Sequence, residues 1–107
     1  MKFFSPGQVI KIHVDDDTFT SEGYSTCDIT TDRFMKLYEK IDLSSFPGWN
    51  DYTGESYLIK ENSSGLILSM IGRPDRISEK GEWWRYDVYE VYINNRILNV
   101  FAHNIKE

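Results

Sequence analysis

Two runs rich in β-branched and aromatic residues, Trp83 to Ile93 and Arg96 to Phe101, are separated by only two residues, Asn94-Asn95. Asn tolerates the positive φ that a two-residue hairpin turn demands, so the pair reads as a tight turn. A two-residue turn fixes the register of the strands it joins. Ile93 then faces Arg96, Tyr92 faces Ile97, Val91 faces Leu98, Glu90 faces Asn99, Tyr89 faces Val100 and Val88 faces Phe101. Successive pairs alternate between the two sides of the sheet. One side collects Tyr89, Val91, Ile93, Leu98 and Val100, which is a core face. The other collects Trp84, Tyr86, Val88, Tyr92, Ile97 and Phe101 around the Glu90–Asn99 pair.

The second side is too aromatic for an ordinary solvated surface. One reading has another element of the chain covering it, since exposed apolar patches are usually small. The sharper reading makes it a partner-binding face, because Tyr and Trp are enriched at interfaces. There Trp84, Tyr86, Tyr92 and Phe101 supply contact area and Glu90 supplies specificity.

The remaining segments are read against this hairpin. Residues 8–14 alternate, with Ile10, Ile12 and Val14 on one side and Lys11 and His13 on the other, and Asp15-Asp16-Asp17 stops the strand. Further strands are expected at 57–60 and 66–71, flanking the turn-like Asn62-Ser63-Ser64-Gly65. Phe34, Leu37, Tyr38 and Ile41 fall at i, i+3, i+4 and i+7, which predicts a short helix over 31–41 capped by Thr31. Such a helix could cover the second side of the hairpin. The expected architecture is a single mainly β domain over 1–107, with strands at 8–14, 57–60, 66–71, 83–93 and 96–101.

Pro6-Gly7-Gln8-Val9-Ile10-Lys11-Ile12, Gly65-Leu66-Ile67-Leu68, Tyr86-Asp87-Val88-Tyr89-Glu90-Val91 and Val100-Phe101-Ala102-His103-Asn104-Ile105 together resemble a small SH3-like barrel of the KOW-type arrangement. The shared features are a Pro-Gly lead-in, a Gly-led second strand, a Tyr-x-Val third strand, a hairpin and a short closing turn ending in an aliphatic residue. The pattern is also similar to small proteins of tailed phages. The resemblance covers roughly 6–14 and 65–105 and implies a barrel with one inserted helix and a long acidic insertion between its first two strands. For function it implies a small virion or accessory component. It speaks to fold more than to activity.

Charge bears on the partner. Residues 1–65 hold eleven acidic against six basic residues, 66–107 hold six of each, and the chain carries a net charge of −5. Phosphate neutralisation supplies most non-specific nucleic-acid affinity, so this balance argues against a dedicated nucleic-acid binder. The one locally basic stretch is Arg73, Arg76, Lys80 and Arg85. It is read first as a solvated loop and second as a contact for acidic protein or nucleic acid.

Catalytic and metal motifs are weak. Cys27 is the only cysteine, so no internal disulfide and no Cys-based zinc site is available. No nucleophile signature surrounds it, and His13 and His103 fall on different expected elements. Asp15-Asp16-Asp17 lacks EF-hand spacing, and Gly72-Arg73-Pro74-Asp75-Arg76 lacks a phosphate-loop pattern. The expectation is therefore no enzyme, no cofactor and no metal. No apolar run is long enough for a membrane helix or a signal peptide, so the expected setting is the cell interior or a virion.

The function expected from these readings is non-catalytic protein–protein binding, including self-association. The alternative is an acidic host-directed inhibitor whose 15–61 region occupies a basic or nucleic-acid-binding site on a host protein. A KOW-like nucleic-acid contact ranks third.

Overall fold

The structure, a computed structural model, describes residues 3–14, 33–43, 52–73 and 83–107. They form one curled antiparallel sheet of seven strands: β1 (Val9–Ile12), β2 (Phe34–Ile41), β3 (Tyr52–Lys60), β4 (Ser64–Gly72), β5 (Val88–Ile93), β6 (Arg96–Phe101) and β7 (Ile105–Lys106). Their order across the sheet is β3-β2-β6-β5-β4-β1-β7. The mainly β expectation holds.

The β5–β6 hairpin has the register derived above, from Ile93 opposite Arg96 to Val88 opposite Phe101. Asn94 and Asn95 adopt φ of 51° and 64°, the left-handed conformation of a type I′ turn. The inward side of this hairpin is the centre of the core. Tyr89, Val91, Ile93, Leu98 and Val100 are buried there with Ile10, Ile12, Val14, Met35, Leu37, Ile59 and Ile67.

Residues 34–41 are not the helix expected over 31–41. They form β2, which pairs with β3 along its length and with β6 at Tyr38–Asn99. The apolar positions fit period 3.6, but Met35 and Leu37 alternate into the main core, whereas Ile41, beyond a break in the ladder, is buried in a separate cluster with Val88 and Phe101. Met35, Lys36, Leu37, Glu39 and Lys40 are good helix formers, but propensity is a weak force, and partners on both sides of the strand override it. Asn99 helps fix the choice, since its side-chain oxygen accepts the Ile41 N–H at 3.0 Å. Between Tyr38 and Lys40 the ladder shifts by one residue, so that Gly54 and Glu55 oppose Glu39. Gly54 sits at φ +81°, and a Cβ there would lie 2.9 Å from the Cβ of Glu39; the bulge needs glycine on both counts.

The strand expected over 83–93 is also shorter. Trp83–Tyr86 form a 3₁₀ turn, and β5 begins at Val88. Asp87 is the reason. Its N–H donates to Trp84 O, its own carbonyl accepts the Ala102 N–H, and its carboxylate is held by Arg73. With its N–H turned back to Trp84, the residue keeps only one of the two bonds it would exchange with Ala102 of the neighbouring strand, and the regular ladder starts after it.

The other edge of the sheet is built by the last residues. A second 3₁₀ turn, Ala102–Asn104, leads into β7, which pairs with β1 through Lys11–Lys106 and Ile12–Ile105. Asn104, 1% exposed, donates its side-chain N–H to His13 O at 3.0 Å and accepts the His13 N–H on its carbonyl at 2.8 Å. The residue is thereby satisfied in the interior, as a buried amide must be.

Candidate functional site

The outward side of the hairpin divides into three successive rows. Furthest from the turn, Val88 and Phe101 are covered by Ile41, Leu43 and Tyr86 and form a second small core. Tyr86 meets Phe101 edge-on, with ring centroids 6.0 Å apart, and His103 stacks on Phe101 at 5.8 Å. The middle row is polar: Ser69, Glu90, Asn99 and Tyr38 lie side by side across β4, β5, β6 and β2. Asn99 is buried there by its bond to Ile41, and Glu90 remains half-buried.

The row nearest the turn is apolar and open. Val9 of β1 faces Leu66 of β4, Leu66 faces Tyr92 of β5, and Tyr92 faces Ile97 of β6. Val9 is 68% exposed, Ile97 51% and Tyr92 44%, while Leu66 between them is half-buried. Period-two alternation explains their direction: Ile10, Ile67, Val91 and Leu98, one residue along each strand, point into the core. Cross-strand neighbours on one face lie about 4.5–5.5 Å apart at Cβ, so the four side chains form one continuous strip. Tyr92 OH donates to Asn95 Oδ1 at 3.2 Å, which leaves its ring face turned outward at the tip of the hairpin.

The residues expected to form a partner face are thus separated. Tyr92 lies in the open strip and Glu90 in the polar row beside it. Phe101 and Tyr86 are brought together in the second core, and Trp84 packs against the main core from its 3₁₀ turn. A segment of the chain does cover part of the second side, but that segment is the end of β2 and not a helix. The hairpin register alone places Ile97 on this face, whereas nothing local in the sequence joins Val9 and Leu66 to it. Val9 shares parity with Lys11, so alternation alone marks it as outward. Its pairing opposite Leu66 depends on a long-range register with no local signature.

Of the basic stretch, Arg73 is engaged with Asp87, and the pairing raises its pKa further. Arg85 is half-buried in the first 3₁₀ turn. Arg76, Lys80, Cys27, Asp15-Asp16-Asp17 and most of the acidic insertion fall outside the described residues. Among the described residues no group of three or more His, Cys, Asp or Glu is arranged to hold a metal ion, and no helix is long and apolar enough to cross a membrane.

A second polar cluster lies at the rim between β2, β3 and β6. Tyr57 OH donates towards Glu55 at 2.9 Å and Glu39 at 3.2 Å, and the Arg96 guanidinium sits 4.0 Å above the Tyr57 ring. The bond to Glu55 is the main cause of a raised Tyr57 pKa, with desolvation and Glu39 adding to it. No protein-family model, curated protein or solved structure matches the chain.

Proposed function

We propose that this chain is a non-catalytic protein-interaction module that binds through the strip Val9–Leu66–Tyr92–Ile97. The observation that carries the reading is the alignment of three large, substantially exposed apolar side chains in one row across four strands. Burying a Val, Ile or Tyr side chain of this kind is worth about 1.5–3 kcal/mol before the cost of association. The partner that fits is a protein with an apolar ridge and a net positive charge, since a net charge of −5 attracts such a partner over distance. Glu90 and Asn99, in the adjoining row, give the strip one polar border.

An SH3-like ancestry is part of the same proposal. It is supported by the positions of the motifs that carry the resemblance. Pro6-Gly7 turns into β1, Gly65 stands near the head of β4, and the β5–β6 hairpin runs into a short turn before the buried Ile105. The resemblance to small tailed-phage proteins makes a virion or accessory component the setting in which such a module would serve.

The test is a comparison of immobilised baits. Tyr92→Ala combined with Ile97→Ala should lose a protein retained by the wild type while melting within a few degrees of it. Phe101→Ala, a truncation of the second core, should instead cost about 3–5 kcal/mol of stability. Retention that survives the double variant, but falls steeply with salt, would move the function to the acidic-inhibitor alternative.

A further inference from the structure

We propose that β3 pairs edge to edge, antiparallel, with β3 of a second copy of this chain, about a two-fold axis at Tyr57. The direction of the backbone groups along β3 is set by Glu61, whose N–H donates to Arg33 O at 2.7 Å. Antiparallel alternation then turns the peptide groups of Ile59 and Tyr57 towards β2, and those of Ser56 and Leu58 away from it. Among the described residues β2 is the sole strand neighbour of β3. Ser56 and Leu58 therefore present two N–H and two C=O groups on an open edge, a template for another strand.

The ends of this stretch are defined. On one side the Gly54–Glu55 bulge breaks the regular ladder; on the other the Lys60 carbonyl is taken by the Ser63 N–H at 3.1 Å. An axis at Tyr57 sets Ser56 of one copy opposite Leu58 of the other. The pair exchanges both N–H···O=C bonds, and the symmetry repeats it, so four bonds use every open group of both copies. Moving the axis to Leu58 would aim Ser56 at the occupied Lys60 carbonyl, and moving it to Ser56 would aim Leu58 at the bulge. With the axis at Tyr57 the bulge of each copy falls opposite the occupied Lys60 end of the other, so both interruptions lie outside the paired stretch; this edge is complementary to itself, and the occupant is a second copy.

The side chains agree with this register. Glu55 falls opposite Ile59 of the other copy and Lys60 opposite Gly54, so no like charges face one another. Leu58, 43% exposed, comes to lie over the other copy's Ser56. Opposing this are the charge of −5 on each copy and the carboxylates of Glu39 and Glu55 beside Tyr57. Association should therefore strengthen as salt screens them.

The experiment is sedimentation velocity on the whole protein from about 10 μM to about 1 mM, at about 0.05 M and about 0.5 M salt. A monomer–dimer equilibrium favoured by the higher salt is expected. Ser56→Pro removes an outward N–H while sparing the β2–β3 bonds, as proline on an edge strand can, and should abolish the dimer without a matching loss of melting temperature. Tyr92→Ala, on β5 and separated from β3 by β2 and β6, should leave the dimer intact. On a Cys27→Ser background, Tyr57→Cys places two thiols directly opposite across the axis and should cross-link under mild oxidation. Leu58→Cys sets them diagonally, about 7–8 Å apart, and should lag about tenfold. A monomer throughout with no preference for position 57, a dimer that Ser56→Pro leaves intact, or capture only of a foreign extended peptide would each overturn the proposal.

Discussion

Arg73 holds the buried carboxylate of Asp87 through both of its oxygens, Nε to Oδ1 at 2.5 Å and Nη2 to Oδ2 at 3.0 Å. The Asp87 side chain has no exposure and that of Arg73 is 37% exposed, so the acid depends on the arginine for its charge compensation. Through Asp87 the end of β4 is tied to the first 3₁₀ turn and, by the Ala102 N–H, to the end of β6. An arginine that looks like a free basic contact in sequence is here a structural clamp.

Arg73→Ala should accordingly destabilise the fold by about 2–4 kcal/mol, since it strands a buried carboxylate. Arg73→Lys should recover only part of this, because an ammonium cannot reproduce the two parallel bonds. Urea denaturation of the three proteins measures it. A loss below about 0.5 kcal/mol, the range of ordinary surface substitutions, would mean that water replaces the guanidinium.

Tyr89 predicts an alkaline limit. Its ring is fully buried against Phe4, edge-on at 5.4 Å, and its hydroxyl oxygen accepts the Phe4 N–H at 3.3 Å. Burial raises the phenol above its ordinary value of 10.0. The folded protein thus holds this proton more tightly than the unfolded chain does. The stabilisation is complete below about pH 10 and is lost as pH rises from there through the folded value. Tyr89→Phe should flatten this part of the stability profile between about pH 9 and pH 11. At neutral pH it should cost about 1 kcal/mol, because the Phe4 N–H loses its acceptor. A profile unchanged by the substitution would assign the alkaline limit elsewhere, with Tyr57 the next phenol to replace.

The turn gives a pair of opposite effects at one position. Asn95 sits at φ +64°. Asn95→Gly should stabilise by a few tenths of a kcal/mol, the relief of left-handed strain being partly offset by the freer unfolded chain. Asn95→Val should destabilise by about 1–2 kcal/mol, because a β-branched residue resists this conformation. Thermal melts of both would check the turn, and equal effects in one direction would argue for a different loop geometry.

What could be read in advance followed the range of the forces involved. The β5–β6 register was legible because two Asn residues and strict alternation determine it locally. Residues 34–41 mislead because Phe34, Leu37, Tyr38 and Ile41 satisfy the helical spacing, while β3, β6 and the Asn99 side chain decide the conformation. The fate of Phe101 could not be read from its own neighbours, since Ile41 and Leu43 cover it from a distant segment. Tyr92 was singled out, whereas its companions Val9 and Leu66 were joined to it only by the pairing of β1 with β4.

The pairing of β1 with β7 on its other edge also fixes an order of events during synthesis. Ile12 needs Ile105 as its ladder partner, and His13 exchanges its backbone bonds with Asn104, 91 positions later in the chain. While the ribosome still holds the last strand in its exit tunnel, β1 has one edge unmet and the core one side unsealed. Pairing of β1 with β7 is therefore a late step, and contacts of such span are slow to form. Until it occurs, the nascent protein depends on its local hairpins, β2–β3 and β5–β6, to keep its apolar residues from neighbouring chains.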